Sequence, residues 1–170
     1  MREIASEVGI AVGTLYNYYS NKWELYIGVF EENWRETYQI LKMNCKKSKT
    51  NYLKNYIQVL YSEMKKKKSI VRELFRFIMN DLEIDEEEQK EKFKRIRFPN
   101  VVINQIYELF ITILEKEFEG ELAVGDQDLY RLFAMLQTNI PLLQQNFNDE
   151  DDNIDFLYDL LYSFMEKKIT

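Results

Sequence analysis

No histidine occurs among the 170 residues. That absence removes at once the commonest general base and the commonest metal ligand. A single cysteine, Cys45, has no partner for an internal disulfide, which fits a reducing compartment and a cytoplasmic location. There is no glycine-rich phosphate loop and no nucleophile elbow, so neither nucleotide chemistry nor acyl transfer finds its usual parts. No apolar run approaches the length of a membrane span, and no signal-peptide pattern opens the chain. These absences argue against an enzyme, a bound metal or cofactor, and a membrane partner.

Breakers are also scarce, at five glycines and two prolines. With 46% hydrophobic and 31% charged residues, and apolar positions at helical spacing almost throughout, the composition predicts an all-α protein. The formal net charge of −6 disfavours nonspecific binding of polyanions by the whole surface. It leaves open a local docking face, since only the field at that face matters.

The most informative stretch is residues 2–26. Ile4, Ala5 and Val8 give a short helix an apolar face, with Ala5 small enough for a crossing helix to approach. Gly9 stands where that helix must stop, because glycine takes a positive φ without a Cβ clash. Ile10 is expected to plug the corner, with Leu15 and Tyr19 facing back from a second helix. This is the pattern of a helix-turn-helix, whose second helix fits a DNA major groove. Asn21 then caps a third, long helix, and Glu24 is placed to close a capping box. The charges nearby are Arg2 and Lys22 against Glu3, Glu7 and Glu24, so the face is not strongly basic.

The run Ile4-Ala5, Val8-Gly9-Ile10, Gly13-Thr14-Leu15-Tyr16, Tyr19 and Asn21-Lys22 resembles, without a gap, the DNA-binding signature of TetR/AcrR-type transcriptional regulators. The resemblance implies a helix-turn-helix head joined by a long helix to a C-terminal helical bundle that binds a ligand and dimerises. It places the recognition helix at about residues 12–18. Val12, Gly13 and Asn17 would read bases, while Thr14, Tyr16, Tyr18 and Lys22 would meet phosphates. The amides that open the Asn21 helix offer a further phosphate site. Two departures stand out. Ala11 replaces the serine or threonine common at the cap of the recognition helix. The family's helix before Arg2 is missing, so roughly 20–25 more residues are expected upstream of Met1 to close the head.

Further along, Tyr26, Phe30, Trp34 and Tyr38 repeat every four residues, and the long helix is expected to run to about Cys45. This sets a head with its linking helix at 1–45 and an effector and dimerisation domain at 46–170. Helices follow with Leu53, Tyr56, Ile57, Leu60 and Met64; with Ile70, Leu74, Phe75, Ile78 and Leu82; and with Ile103, Tyr107, Phe110, Leu114 and Phe118. The lysines from Lys65 to Lys68 read as a solvated helix end, favourable to the helix dipole. A stripe from Leu129 to Phe147 carries Pro141, where a kink is expected. An acidic loop at 148–153 precedes a final helix at 154–169.

That final helix has an apolar arc of roughly 200°, about twice what a helix needs to reach its own core. The excess suggests a second chain. The resemblance makes the last two helices, residues 126–147 and 153–168, a four-helix homodimer interface. Leu136, Ile140, Leu157, Tyr158, Leu161, Tyr162 and Met165 would form it. It also implies a pocket for a small apolar or aromatic effector, with Tyr56, Tyr61, Phe75, Tyr107, Phe110 and Phe133 as lining or as plain core. Two functions follow. One is a ligand-responsive regulator, a repressor that binds an inverted-repeat operator on double-stranded DNA. The other is a helical interaction protein of the same fold that has lost DNA binding.

Overall fold

A computed structural model describes residues 1–47, 49–70, 72, 73, 76, 100–119, 122 and 124–169. Among them are seven helices and no strand, as composition predicts. They are α1 (Arg2–Glu7), α2 (Val12–Tyr18), α3 (Lys22–Lys47), α4 (Tyr52–Lys66), α5 (Asn100–Glu117), α6 (Asp126–Asn146) and α7 (Glu150–Ile169). Phe75 and Pro99 lie outside the described residues, as does most of the helix expected around Phe75, of which residues 68–70, 72, 73 and 76 are described and helical.

The start of α3 carries the expected cap. The Glu24 amide donates to Asn21 Oδ1 at 2.9 Å, and the Glu24 carboxylate accepts from the Ser20 amide at 2.8 Å. Below it, Phe30, Trp34, Thr37, Leu41 and Cys45 are buried in one stripe. Strict four-residue spacing drifts by about 40° per step, so the stripe takes a three-residue step to Thr37 and leaves Tyr38 at the edge. Burial pushes the Cys45 thiol up to about 11, which keeps it protonated and unreactive at neutral pH.

The helix α4 is the centre of the bundle. Leu53, Tyr56, Ile57, Leu60 and Tyr61 are buried on it, and α3, α5, α6 and α7 all pack against it. Asn51 before it takes a left-handed conformation (φ 53°), which asparagine tolerates. The first turn is tied across the bundle, with the Leu53 amide donating to Glu117 Oε2 at 3.2 Å. The helix α5 buries Val102, Ile103, Ile106, Phe110, Ile113 and Leu114, with Tyr107 at the margin. Thus Ile106 and Ile113 hold places that the sequence reading gave to Tyr107 and Phe118.

Gly125 caps α6, whose first turn holds Asp126 and Asp128. One boundary differs from expectation. The acidic run Glu150-Asp151-Asp152 is no loop but the first turn of α7, where carboxylates suit the positive end of the helix dipole. Asp149 caps it, its Oδ1 accepting from the Asp152 amide at 3.1 Å. Asn153 is buried there, donating to the Tyr61 hydroxyl at 3.0 Å.

The proposed dimer residues also need correction. Leu136, Ile140, Leu157, Leu161 and Met165 are fully buried within the single chain, and Tyr158 and Tyr162 are partly covered. The wide arc of α7 divides: this half closes its own core, and Phe156 and Leu160 remain exposed on the other. Tyr130 and Leu142 are exposed on α6. Leu161→Ala is therefore expected to cost about 2–5 kcal/mol of stability. Phe156→Ser should change the stability of the isolated chain by less than about 0.5 kcal/mol. Urea unfolding of both variants checks the division.

Candidate nucleic-acid interface and effector pocket

The head is built from α1, α2 and the start of α3. Gly9 has φ +70°, the left-handed conformation expected of it, and nothing lies near the position of its missing Cβ. The chain turns there, and the Ile10 amide donates to the Ala5 carbonyl at 2.9 Å. Only Ala5 and Leu15 are buried in α1 and α2. Val8 is 61% exposed and Ile10 is exposed as well, so Ile10 does not fill the corner as expected; the buried residues of the two helices are Ala5 and Leu15.

The seven-residue α2 begins at Val12 after Ala11, which has the extended backbone of a cap (φ −67°, ψ 140°) but no side chain to serve as one. Tyr16, Asn17, Tyr18, Thr14 and Gly13 are exposed on α2, with Tyr18 at 77%, and Val12 is half-buried. Lys22 follows on α3, its ammonium 5.7 Å from the Tyr26 ring centroid. Six of the seven residues assigned to DNA thus lie on one short helix, and the seventh, Lys22, opens α3. The further phosphate site is partly filled, since Glu24 and Asn21 already engage the amides of Ser20 and Glu24.

What holds α2 against α3 was not read from the sequence. A Cβ on Gly28 would lie 2.7 Å from Tyr19 Cε1. The bare glycine lets the tyrosine ring lie directly on the helix backbone, and this contact sets where α2 ends relative to α3. The only sequence signal is a lone glycine inside a helical pattern, which often marks close approach.

The aromatic residues expected to line an effector pocket instead fill space. Tyr56 and Phe110 have ring centroids 5.6 Å apart, Phe110 and Phe133 5.7 Å, and Tyr107 and Phe133 5.3 Å. Tyr61 is buried and bonded to Asn153. These residues are core. A pocket of about 50 Å³ lies elsewhere, where α3 meets the end of α4 and α6. Phe30, Asn33, Trp34 and Thr37 line it from α3, and Pro141 and Gln144 from α6. Met64, Lys67, Lys68 and Ile70 complete it.

Lys67, the C-cap of α4, is the polar centre of this region. Its ammonium donates to the Asn33 carbonyl and, at 2.7 Å, to Thr37 Oγ1. Glu36 and Glu63 stand behind it at 3.7 and 3.8 Å. Burial pushes the Lys67 pKa down, and the two carboxylates oppose that shift. Among the described residues, no three His, Cys, Asp or Glu side chains gather as metal ligands, and no helix is long and apolar enough to cross a membrane.

Residues 1–29 match the family model of bacterial regulatory proteins of the tetR family. Comparison with curated proteins and with solved structures gives no match.

Two changes test the head. Ala11→Ser should stabilise it by about 1 kcal/mol by supplying the missing cap. Gly28→Val should push Tyr19 aside and destabilise the head by about 1–3 kcal/mol. Amide exchange in α2 reads both, slower for the first and faster for the second.

Proposed function

We propose, from the match of residues 1–29 to the tetR-family model, that the chain is a DNA-binding transcriptional regulator, a dimeric repressor that a small molecule releases from DNA. The observation that carries this reading is the placement of Tyr16, Asn17 and Tyr18, exposed together on the one short helix ahead of α3. Residues 1–45 act as the reading head with its linking helix, and residues 46–170 bind the effector and dimerise. Asn17 is suited to a bidentate pair with adenine, and Val12 to a thymine methyl. Gly13 lets the helix backbone come close to a base pair. Thr14, Tyr16, Tyr18 and Lys22 supply phosphate contacts that fix register.

The apolar side chains Leu142, Phe156 and Leu160, exposed on the last two helices, support pairing with a second copy. A two-fold dimer then reads an inverted repeat. The 26-residue α3 is about 39 Å long and joins reader to pocket. Phe30, Trp34 and Thr37 of that same helix line the pocket, so a ligand there acts directly on the helix that carries the head.

The weak charge of the head favours a second reading, an interaction protein of this fold that no longer binds DNA. Arg2 and Lys22 face three glutamates in residues 1–26, and Glu24 engages the Ser20 amide. Binding to a duplex selected from a random pool separates the two. Asn17→Ala should cost about 1–3 kcal/mol and relax preference at one base position. Tyr16→Phe should weaken all sequences more evenly. Equal binding of random and selected duplexes by the unmodified protein would favour the interaction protein.

Sedimentation tests the dimer. The unmodified chain should be dimeric at micromolar concentration, whereas Phe156→Asp and Leu160→Asp should each give a folded monomer. A monomeric unmodified chain would refute the pairing.

A further inference from the structure

We propose that the pocket between α3, Lys67 and α6 is a site for a small carboxylic acid, held by its apolar body against Phe30 and Trp34 and by its carboxylate at Lys67 and Lys68. The ligand class follows from the lining. Phe30 and Trp34 meet edge to face at 5.9 Å, and with Met64, Ile70 and Pro141 they make most of the wall apolar. The polar members are Asn33, Thr37, Lys67, Lys68 and Gln144; two are cations and none is a carboxylate. A cationic ligand would meet like charge there, and a neutral one would gain no charge-assisted bond.

Lys67 is already engaged, so the balance of charge around it decides whether an acid is admitted. Its side chain is 13% exposed, and the Glu63 side chain behind it is 4% exposed. Glu63 is also held by Lys66 at 2.5 Å, and Glu36 is largely in solvent. Among the described residues, Lys66 and Lys67 thus pair with these two carboxylates, one of them screened by water, and Lys68 lines the pocket as a further cation. Among the described residues, the carboxylates nearest the Lys67 ammonium are Glu36 and Glu63, at 3.7 and 3.8 Å. Its near partners are a carbonyl and a hydroxyl of α3. An incoming carboxylate makes a stronger, charge-assisted bond than either.

The same exchange has a mechanical consequence, which rests on the regulator reading above. Lys67 ties the end of α4 to Asn33 and Thr37 of α3. A carboxylate that takes the ammonium loosens this tie, and the head-bearing helix is free to shift against the bundle. At about 50 Å³, roughly a third of the volume that holds a benzene ring, the pocket takes in only part of a short-chain or single-ring acid.

The test uses the 170-residue chain with Trp23→Phe, which leaves Trp34 as the one remaining tryptophan. Its emission is followed during titration with butyrate and benzoate, and with butanol, benzyl alcohol and benzylamine. Both acids should give saturable responses, at affinities roughly tenfold above the matching alcohols. Lys67→Met should remove that preference while leaving the alcohols unchanged. Lys68→Gln should lower it roughly threefold, and serves if the first variant does not fold. No saturation by either acid, or equal or tighter binding of the amine, overturns the proposal. So does a preference that survives both substitutions. Operator binding is measured on the same samples: acid binding without DNA release upholds the site and counts against the regulator reading.

Discussion

Burial of α4 is the constraint on which the rest of the bundle depends. Leu53, Tyr56, Ile57 and Leu60 have no exposed surface, and α3, α5, α6 and α7 all take α4 as a neighbour. With both ends of α4 fixed, its termini become the places where polar groups must find partners. At its start the Leu53 amide is answered by Glu117. At its end Lys67 folds back onto α3. The polar corner at the pocket is thus a product of how the central helix ends.

The other organising element is α3, a single helix that belongs to both parts of the molecule. Its first residues carry the cap and the Gly28 surface that seats Tyr19. Its middle lines the pocket, and its end packs into the core through Leu41 and Cys45. A continuous helix transmits displacement because its backbone bonds resist bending. A force applied near Trp34 would therefore reach the end of α3 that adjoins α1 and α2. The tetR-family match covers residues 1–29, so it ends just as α3 reaches the pocket. Everything beyond rests on packing and chemistry alone.

Local features were legible in the sequence because local physics decides them. The positive φ of Gly9, the Asn21–Glu24 cap and the capless Ala11 each follow from residues within four positions. Non-local features were not. Periodicity placed Val8 on an apolar face and the turn placed Ile10 at the corner, but neither said what covers them, and they are exposed. The breadth of the α7 arc was read correctly, but the division into an inner half at Leu157 and Leu161 and an outer half at Phe156 and Leu160 was not. Lys67 looked like one of four solvated lysines until the turn after α4 carried it inward. Gly28 gave no signal stronger than being a glycine in a helix.

The central claim is that this chain reads DNA sequence through α2. The most direct measurement is selection of duplexes from a randomised pool by the purified 170-residue protein, followed by sequencing of what is retained. The account predicts enrichment of an inverted repeat, with the two-fold symmetry of a dimer, and its loss when the selection is repeated with Asn17→Ala. Retained duplexes without any common sequence would contradict it.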